Sequence, residues 1–226
     1  MNKRQSPTLS WSYLGRASYS ETWTLQEEYR AKVLAGNDEE QLFLVEHPPT
    51  ISLGRAEKGI NLLYDRDLLK NQGFDVVETN RGGKLTYHGL GQIVGYPIIN
   101  LSPDREDVHR YVRDLEEVLI RTMNDFDIEA FRIEGLTGVH TSRGKVAAIG
   151  VHIARWVTTH GFALNVNTDL GYFDLIVACD GEPVTSMKDL LAQEIELSLV
   201  EDRIIERFAE VFEMEPESVP AAVAAG

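Results

Sequence analysis

The sequence contains a single cysteine, Cys179, and no long apolar run. One cysteine cannot form an internal disulfide or supply a multi-cysteine zinc site, which fits a reducing compartment. No stretch approaches the length of a membrane span, and the polar residues 1–7 lack the apolar centre of a secretion signal. We therefore expect a cytoplasmic protein that does not act at a membrane.

Positive charge is also scarce, because 22 Lys and Arg stand against 36 Asp and Glu for a net charge of −14. Attraction to a nucleic-acid backbone is therefore not expected. Acidic residues are themselves absent from 79–103 and 135–168, although both windows retain cations. Buried strands exclude carboxylates but do not explain retained Arg and Lys. We predict a locally positive cleft formed by Arg81, Lys84, Arg143, Lys145 and Arg155.

The chain has 226 residues, and its apolar share of 43% can fill a sizeable core. It shows no internal repeat and no low-complexity linker. We predict one domain over residues 1–226, with flexible tails at 1–7 and 218–226.

Apolar periodicity predicts the secondary structure. Helical spacing falls at 21–34, 65–72, 105–126, 186–191 and from Ser198 onward, where Ser198 and Glu201 have the spacing of a capping box. Extended runs fall at 41–45, 50–53, 74–79, 93–101, 138–140, 146–153 and 161–166, with a hairpin turn at 142–145.

The run 80–92 places glycines at 82, 83, 89 and 91 between two apolar segments. Glycine has no Cβ and tolerates positive φ, so main-chain N–H groups in this run can approach a ligand. Donor side chains accompany that backbone, namely Arg81, Lys84, Tyr87, His88 and Gln92. The run is a candidate binding loop, and a plain turn is the alternative interpretation.

Two residues could carry covalent or acid–base chemistry. Cys179 follows an apolar run at an expected loop, where it is either a small buried hydrophobe or a nucleophile. Lys145 opens the strand at 146–153 and is either a solvated turn residue or a base. Burial beside Arg143 would favour its neutral amine. No histidine pair has metal-ligand spacing, so no metal is expected.

Several motifs taken together resemble those of the lipoyl(octanoyl) transferase family. Arg81-Gly82-Gly83 is followed by Thr86-Tyr87-His88-Gly89 and by Gly91-Gln92. Other family motifs fall in the family's order, namely Glu46-His47-Pro48-Pro49, Lys145-Val146-Ala147-Ala148-Ile149-Gly150-Val151 and His160-Gly161-Phe162-Ala163-Leu164-Asn165-Val166. Cys179 stands where the family keeps its nucleophile. The resemblance covers nearly the whole chain.

The resemblance implies an α/β (α+β) fold like the biotin/lipoate protein ligase catalytic domain, with a mixed central β-sheet flanked by helices. It also implies transfer of an octanoyl or lipoyl group from acyl carrier protein to a lysine of lipoyl carrier domains, those of 2-oxoacid dehydrogenases and of glycine cleavage H protein. We expect a monomer that needs no cofactor.

The same resemblance assigns roles to residues. Cys179 and Lys145 correspond to the family's catalytic pair, with the acyl group held on Cys179 as a thioester. The implied substrate-binding residues are Arg81, Gly82, Gly83, Lys84, Leu85, Thr86, Tyr87, His88, Gly89, Ala148, Ile149, Gly150, His160, Gly161 and Ala163.

The chain departs from the family pattern at two places. Leu90 stands where the family usually has proline, and Ala178-Cys179-Asp180 replaces the usual Pro-Cys-Gly. Asp180 places a carboxylate beside the thiol, which would raise the pKa of that thiol. An ATP-dependent lipoate or biotin ligase and a non-catalytic acyl- or carrier-binding module are the alternative functions.

Overall fold

A computed structural model describes residues 8–37, 40–56, 62–176 and 182–220. It has an α/β architecture in which helices flank mixed β-sheet, as predicted. The strands are β1 (Thr8–Arg16), β2 (Gln41–Glu46), β3 (Thr50–Leu53), β4 (Asp75–Glu78), β5 (Leu85–His88), β6 (Gln92–Ile98), β7 (Val139–Thr141), β8 (Gly144–Ala154), β9 (Val157–Asn165) and β10 (Glu215–Ser218). The helices are α1 (Tyr19–Leu34), α2 (Arg66–Asn71), α3 (Val108–Asn124), α4 (Met187–Leu191) and α5 (Leu197–Phe212). A short 3₁₀ helix covers Leu170–Leu175.

The strands form a large sheet and a small sheet. The seven-stranded sheet has the order β10-β1-β2-β6-β9-β8-β7, and the three-stranded sheet has the order β4-β3-β5. In the large sheet β1 pairs in parallel with β10 and β2, and the remaining pairs are antiparallel. In the small sheet β3 is parallel to β4 and antiparallel to β5.

Alternating side chains separate the two faces of the large sheet. Leu42 and Leu44 of β2 face a large apolar cluster with α3 and α5, whereas Phe43 and Val45 face a smaller cluster that packs against α1. This alternation follows from the twofold side-chain repeat of a strand. The α1 face is the one that also meets the small sheet, through contacts of Tyr19 with His47 and His88.

Most predicted elements are confirmed, but three features differ. The strand β5 lies inside the glycine-rich run, which was not predicted to contain a strand. The strands β1 and β10 were not predicted either. Helix α5 begins after Glu196, whose side chain makes no capping hydrogen bond, so the predicted Ser198–Glu201 capping box is wrong. The capping box that forms is at α1, between Ser18 and Glu21.

The C-terminal tail also differs in part. Ser218, predicted to be loose, belongs to β10 and pairs with Trp11 of β1. Val219 donates its N–H to the Trp11 carbonyl at 3.0 Å. The predicted tails at 1–7 and 221–226 lie outside the described residues. No helix within the described ranges is long and apolar enough to span a membrane.

Candidate active site

A cavity of about 350 Å³ lies where the large sheet meets the small sheet and the glycine-rich run. Strands β6, β8 and β9 supply one side of it, and residues of the run 80–92 supply another. The cavity is lined by Tyr19, Ala56, Arg81, Gly83, Lys84, Leu85, Thr86, His88, Val94, Tyr96, Gly135, Leu136, Thr137, Lys145, Ala148, Ile149, Gly150, His160, Gly161, Phe162, Ala163 and Glu182. Most residues predicted to bind substrate therefore share one cavity.

Two glycines bring the glycine-rich run against strand β8. The Gly82 N–H donates to the Val151 carbonyl at 2.8 Å, which ties the run to the strand. A Cβ on Gly150 would lie 3.0 Å from the Gly82 carbonyl oxygen and 3.2 Å from Arg81 Cδ. Any side chain at position 150 would therefore crowd the cavity wall, since such contacts are at the limit of close packing.

Arg81 is buried and holds the run to strand β3. Its Nη2 donates to the Ser52 carbonyl at 2.6 Å and to Ser52 Oγ at 3.0 Å, and its Nη1 donates to the Gly82 carbonyl at 2.9 Å. Only 7% of Arg81 is exposed. The guanidinium is thus part of the cavity wall, and this contrasts with exposed Lys84.

Two neutral histidines line the cavity. His88 contacts Ser52 Oγ through Nε2 and Gln92 Oε1 through Nδ1, both at 2.9 Å. Burial, the neighbouring His47 and the Arg81 charge hold the pKa of His88 well below its usual range. Burial and Arg81 lower the pKa of His160 to about 3. Both imidazoles are therefore uncharged at neutral pH and offer hydrogen bonds without charge.

His160 lines the cavity and has an unusual backbone conformation. Its φ of 56° is unusual for a residue other than glycine. Its Nδ1 lies 3.2 Å from Tyr19 Oη and its Nε2 lies 2.6 Å from Asn80 Oδ1. The residue thereby joins α1 to the start of the glycine-rich run, a connection that no sequence pattern indicated.

Lys145 lies near the start of β8, not in an exposed turn. Its side chain is 11% exposed, and its Nζ lies 3.6 Å from Glu182 Oε2. The stem crosses Gly138, where a Cβ would lie 2.6 Å from Lys145 Cε. Arg143 is not among the lining residues, and its Nη1 donates to the Asp189 carbonyl at 2.6 Å.

Other predicted residues lie away from the cavity. Tyr87 points to the opposite side of β5 and packs against Phe74, Tyr172 and Phe173. Gly82 and Gly89 are not among the lining residues. Arg155 sits in the β8–β9 turn, beside a separate surface depression that it forms with residues of α1. The predicted five-cation cleft therefore reduces to Arg81, Lys84 and Lys145. Cys179 lies outside the described residues.

Sequence patterns missed several residues of the cavity wall, namely Tyr19, Tyr96, Leu136, Thr137, Phe162 and Glu182. Glu182 could have been suspected from its position three residues after Cys179. Tyr96 and Phe162 lie in segments that resemble the family but were given no role. Tyr19, Leu136 and Thr137 carried no signal, because only tertiary packing brings α1 and the loop at 135–137 to the cavity. Among the described residues, no group of three or more His, Cys, Asp or Glu side chains could hold a metal ion.

Comparison with known proteins identifies the fold and the family. A bi-partite lipoate protein ligase from Thermoplasma acidophilum superposes with a TM-score of 0.75 at 15% identity, covering 97% of this chain and 89% of that one. A biotin protein ligase from Aquifex aeolicus, in complex with biotin and ATP, gives a TM-score of 0.56 at 13% identity, covering 91% and 70%. These likenesses define the class of fold, that of lipoate and biotin protein ligase catalytic domains.

Sequence relatives identify the family within this class of fold. The family model of the lipoyl protein ligase A/B catalytic domain matches residues 18–209. An octanoyltransferase from Solibacter usitatus is 48% identical over 203 residues, which cover 89% of this chain and 92% of the relative. The chain belongs to the lipoyl protein ligase A/B catalytic domain family. Within that family it is an enzyme of the octanoyltransferase kind.

Proposed function

We propose that this enzyme, in the cytoplasm, moves an octanoyl group from acyl carrier protein through a Cys179 thioester to a lysine amine of a lipoyl carrier domain. Octanoyl transfer as part of lipoylation is supported by the relatives that bear the name octanoyltransferase. The observation that supports the rest is the cavity, where a lysine amine lies beside apolar side chains.

The shape and lining of the cavity suit an acyl chain. Leu85, Val94, Ile149 and Phe162 supply apolar surface, and the glycines leave room between them. The apolar part of such a cavity binds hydrocarbon by burial, and its polar groups orient the ligand. The neutral imidazoles of His88 and His160 favour this use, because a hydrocarbon packed against them desolvates no further charge.

Chain connectivity supports a role for Cys179 in the same cavity. Three peptide units join Cys179 to Glu182, which limits the distance between their Cα atoms to about 11 Å. Glu182 lines the cavity and faces Lys145. The next residues run beside β8, since Lys145 N donates to the Pro183 carbonyl at 2.8 Å and Thr185 N donates to the Lys145 carbonyl at 2.9 Å. The chain therefore returns to Lys145 soon after the only thiol.

The proposed reaction has two acyl transfers. Lys145 takes the proton of the Cys179 thiol, the thiolate attacks the donor thioester carbonyl, and the carrier thiolate leaves with a proton returned by Lys145. The acceptor lysine amine then attacks the enzyme thioester. Lys145 takes the proton that this amine loses and returns it to the departing Cys179 sulfur. No ATP is consumed, because the donor thioester already holds the activated acyl group.

We expect the exposed Lys84 at the cavity to contact the acyl carrier protein when it docks. Acyl carrier proteins are acidic, and this enzyme carries a net charge of −14. Lys84 is exposed and lines the cavity, whereas Arg81 is buried in its wall. We expect Lys84→Ala to slow association with the donor and to weaken the dependence of the rate on salt.

The decisive experiment mixes the enzyme with octanoyl-acyl carrier protein and measures the intact mass. We expect one octanoyl adduct that hydroxylamine removes, and none on Cys179→Ala. Transfer by Cys179→Ala should fall by about a thousandfold or more. Lys145→Ala should slow adduct formation, and Lys188→Ala, which removes an exposed lysine of α4, serves as its control.

The alternatives give different results. ATP-dependent transfer retained by Cys179→Ala would contradict the thioester route and favour a ligase. Octanoyl-acyl carrier protein bound without any covalent adduct or transfer would favour a binding module.

A further inference from the structure

One carboxylate oxygen of the cavity faces two basic groups. Glu182 Oε2 lies 3.6 Å from Lys145 Nζ and 3.5 Å from His140 Nε2. The side chains of Lys145 and His140 are 11% and 3% exposed, and that of Glu182 is 23% exposed. Charges this close and this shielded from water interact more strongly than a surface ion pair.

The backbone holds Glu182 in this position. Residues 183–185 run beside the start of β8, with Lys145 bridged to Val184. Asn165 of β9 fixes the far side of this segment by donating from Nδ2 to the Thr185 carbonyl at 3.1 Å. Glu182 precedes this segment directly, so its Cα lies one residue from backbone that is hydrogen-bonded to Lys145.

His140 stands behind the pair as a neutral group. Burial and the Lys145 charge lower the pKa of His140, so its imidazole is uncharged at neutral pH. In the described part of the chain, neither of its ring nitrogens has a well-formed hydrogen bond. The Glu182 oxygen at 3.5 Å is at the outer limit for one. A neutral imidazole can donate to this oxygen and orient it without cancelling its charge.

Two other charged residues of the described ranges near Lys145 in sequence or space have other partners. Glu116 of α3 accepts from the Gly138 N–H at 3.0 Å and pairs with Arg113 and Arg132. Arg143 bonds to the Asp189 carbonyl. The other lining groups that can carry charge are Arg81, Lys84, His88 and His160. Among the residues that the structure describes, Glu182 is therefore the carboxylate placed to act on the amine.

We propose that Glu182 is a further positioning residue of the active site, whose carboxylate, oriented by His140, stabilises the Lys145 ammonium that forms when this amine takes the thiol proton. A carboxylate at this distance attracts an ammonium group. This inference rests on the proposed function, in which Lys145 takes the thiol proton. Glu182 would stabilise the ammonium so formed until the proton passes to the leaving thiolate.

The first test measures the amine directly and requires no catalysis. Lys145 is labelled with a brief pulse of acetic anhydride across pH, and its acetylation is quantified by peptide mass spectrometry. We expect Glu182→Gln to shift the labelling midpoint to lower pH by about one unit, and so to raise labelling about tenfold below that midpoint. Glu182→Asp, which keeps the charge but shortens the side chain, should fall between the two.

Glu217→Gln is the matched control, because it removes the same charge from exposed strand β10. It should leave the Lys145 midpoint unchanged. A Glu182→Gln midpoint equal to that of wild type, in protein with an unchanged circular dichroism spectrum, would overturn the inference.

The second test separates this inference from the proposed function. The pH profile of octanoyl transfer is measured for the same variants, and its acid limb should move to lower pH with the labelling midpoint. A shifted labelling midpoint with an unmoved transfer profile would support the pairing of Glu182 with Lys145. That result would contradict the role of Lys145 as the base.

Discussion

The two faces of the large sheet are built from different chemistry. The face toward α3 and α5 is apolar throughout its centre, with Leu115, Val118, Ile204 and Phe208 fully buried. The face toward α1 buries polar groups that include His47, Gln26 and His160. The first face supplies hydrophobic stabilisation, and the second supplies buried polar groups of the cavity wall, among them His160. Because the two faces are separated by the sheet, the buried polar groups do not interrupt the apolar core that stabilises the fold.

Burial of polar groups on the α1 face depends on their hydrogen bonds. His47 is satisfied at both nitrogens, by the Ala17 carbonyl and Tyr96 Oη, each at 2.7 Å. Gln26 Oε1 accepts from the His160 N–H at 2.8 Å. A buried group that loses its partner costs about 1–3 kcal/mol. The α1 face therefore requires each polar group to lie against its hydrogen-bond partner. The α3–α5 face requires apolar side chains that fill the available volume.

The largest expected effect comes from the apolar face. Phe208→Ala removes a fully buried ring that stacks on Phe212 with centroids 4.2 Å apart. The free energy of unfolding should fall by about 4 kcal/mol, as measured by urea denaturation, with unchanged specific activity of the folded fraction. Leu199→Ala, on the same helix but 55% exposed, should change stability by less than about 0.5 kcal/mol. Equal losses from the two variants would contradict the assignment of the core.

The next effect comes from the polar face and depends on pH. Burial lowers the pKa of His47 to about 4 from its usual 6.5. Between these values the unfolded chain binds a proton that the folded protein does not, so stability falls as pH falls through this range. At pH 5 His47 alone should cost about 2 kcal/mol relative to neutral pH. His88 and His160, with lowered pKa values, should add to the loss.

The measurement is urea denaturation at pH 7.5 and at pH 5. His47→Gln should lower stability at both pH values but reduce the difference between them. His109→Gln, at an exposed position of α3, should leave that difference unchanged. A wild-type stability that does not change between the two pH values would show that the histidines are not buried as neutral groups.

The same contrast explains what the sequence could predict. Helices α3 and α5 were predicted because their apolar residues recur every three or four positions. Helix α1 was predicted from position 21 and begins at Tyr19, and its buried side includes Thr22 and Gln26, which a hydrophobic pattern cannot detect. Strand β5 was missed because its four residues are all buried and follow a glycine cluster.

The site was predicted unevenly for a related reason. The resemblance placed Arg81, His88 and Gly150 in a binding site, and the structure places all three at one cavity. Their roles stay a prediction. Tyr87 has the same motif origin but points away, because adjacent strand residues face opposite sides. The contact of Glu182 with Lys145 could not be predicted from the sequence, since it depends on the pairing of residue 184 beside β8.

A smaller effect should distinguish cavity shape from stability. Gly150→Ala would place a methyl group about 3 Å from the Gly82 carbonyl and Arg81 Cδ. We expect octanoyl transfer to fall about tenfold, equivalent to about 1.4 kcal/mol in the barrier, with a smaller fall for a butyryl donor. Ala148→Gly, two residues earlier on the same face of β8, should not discriminate against the longer chain. Equal losses with both donors for Gly150→Ala would argue against an acyl chain at this wall.

The smallest effect concerns a carboxylate at the edge of the apolar face. Burial and the nearby Glu46 raise the pKa of Glu201 on α5 to about 7. The folded protein then holds a proton that the unfolded chain releases, so this group's contribution to stability is lost as pH rises through 7. This dependence is opposite in sign to that of the histidines.

Glu201→Gln keeps the uncharged shape at every pH, so it should stabilise the protein at pH 8 and change little at pH 5. The gain should stay below about 1 kcal/mol, because the group is partly screened by water. Urea denaturation at the two pH values measures it. Glu206→Gln, on the exposed side of the same helix, should show no such pH dependence. A Glu201→Gln variant less stable than wild type at pH 8 would mean that the carboxylate has a stabilising partner, and that the apolar face tolerates charge at its edge as the α1 face does.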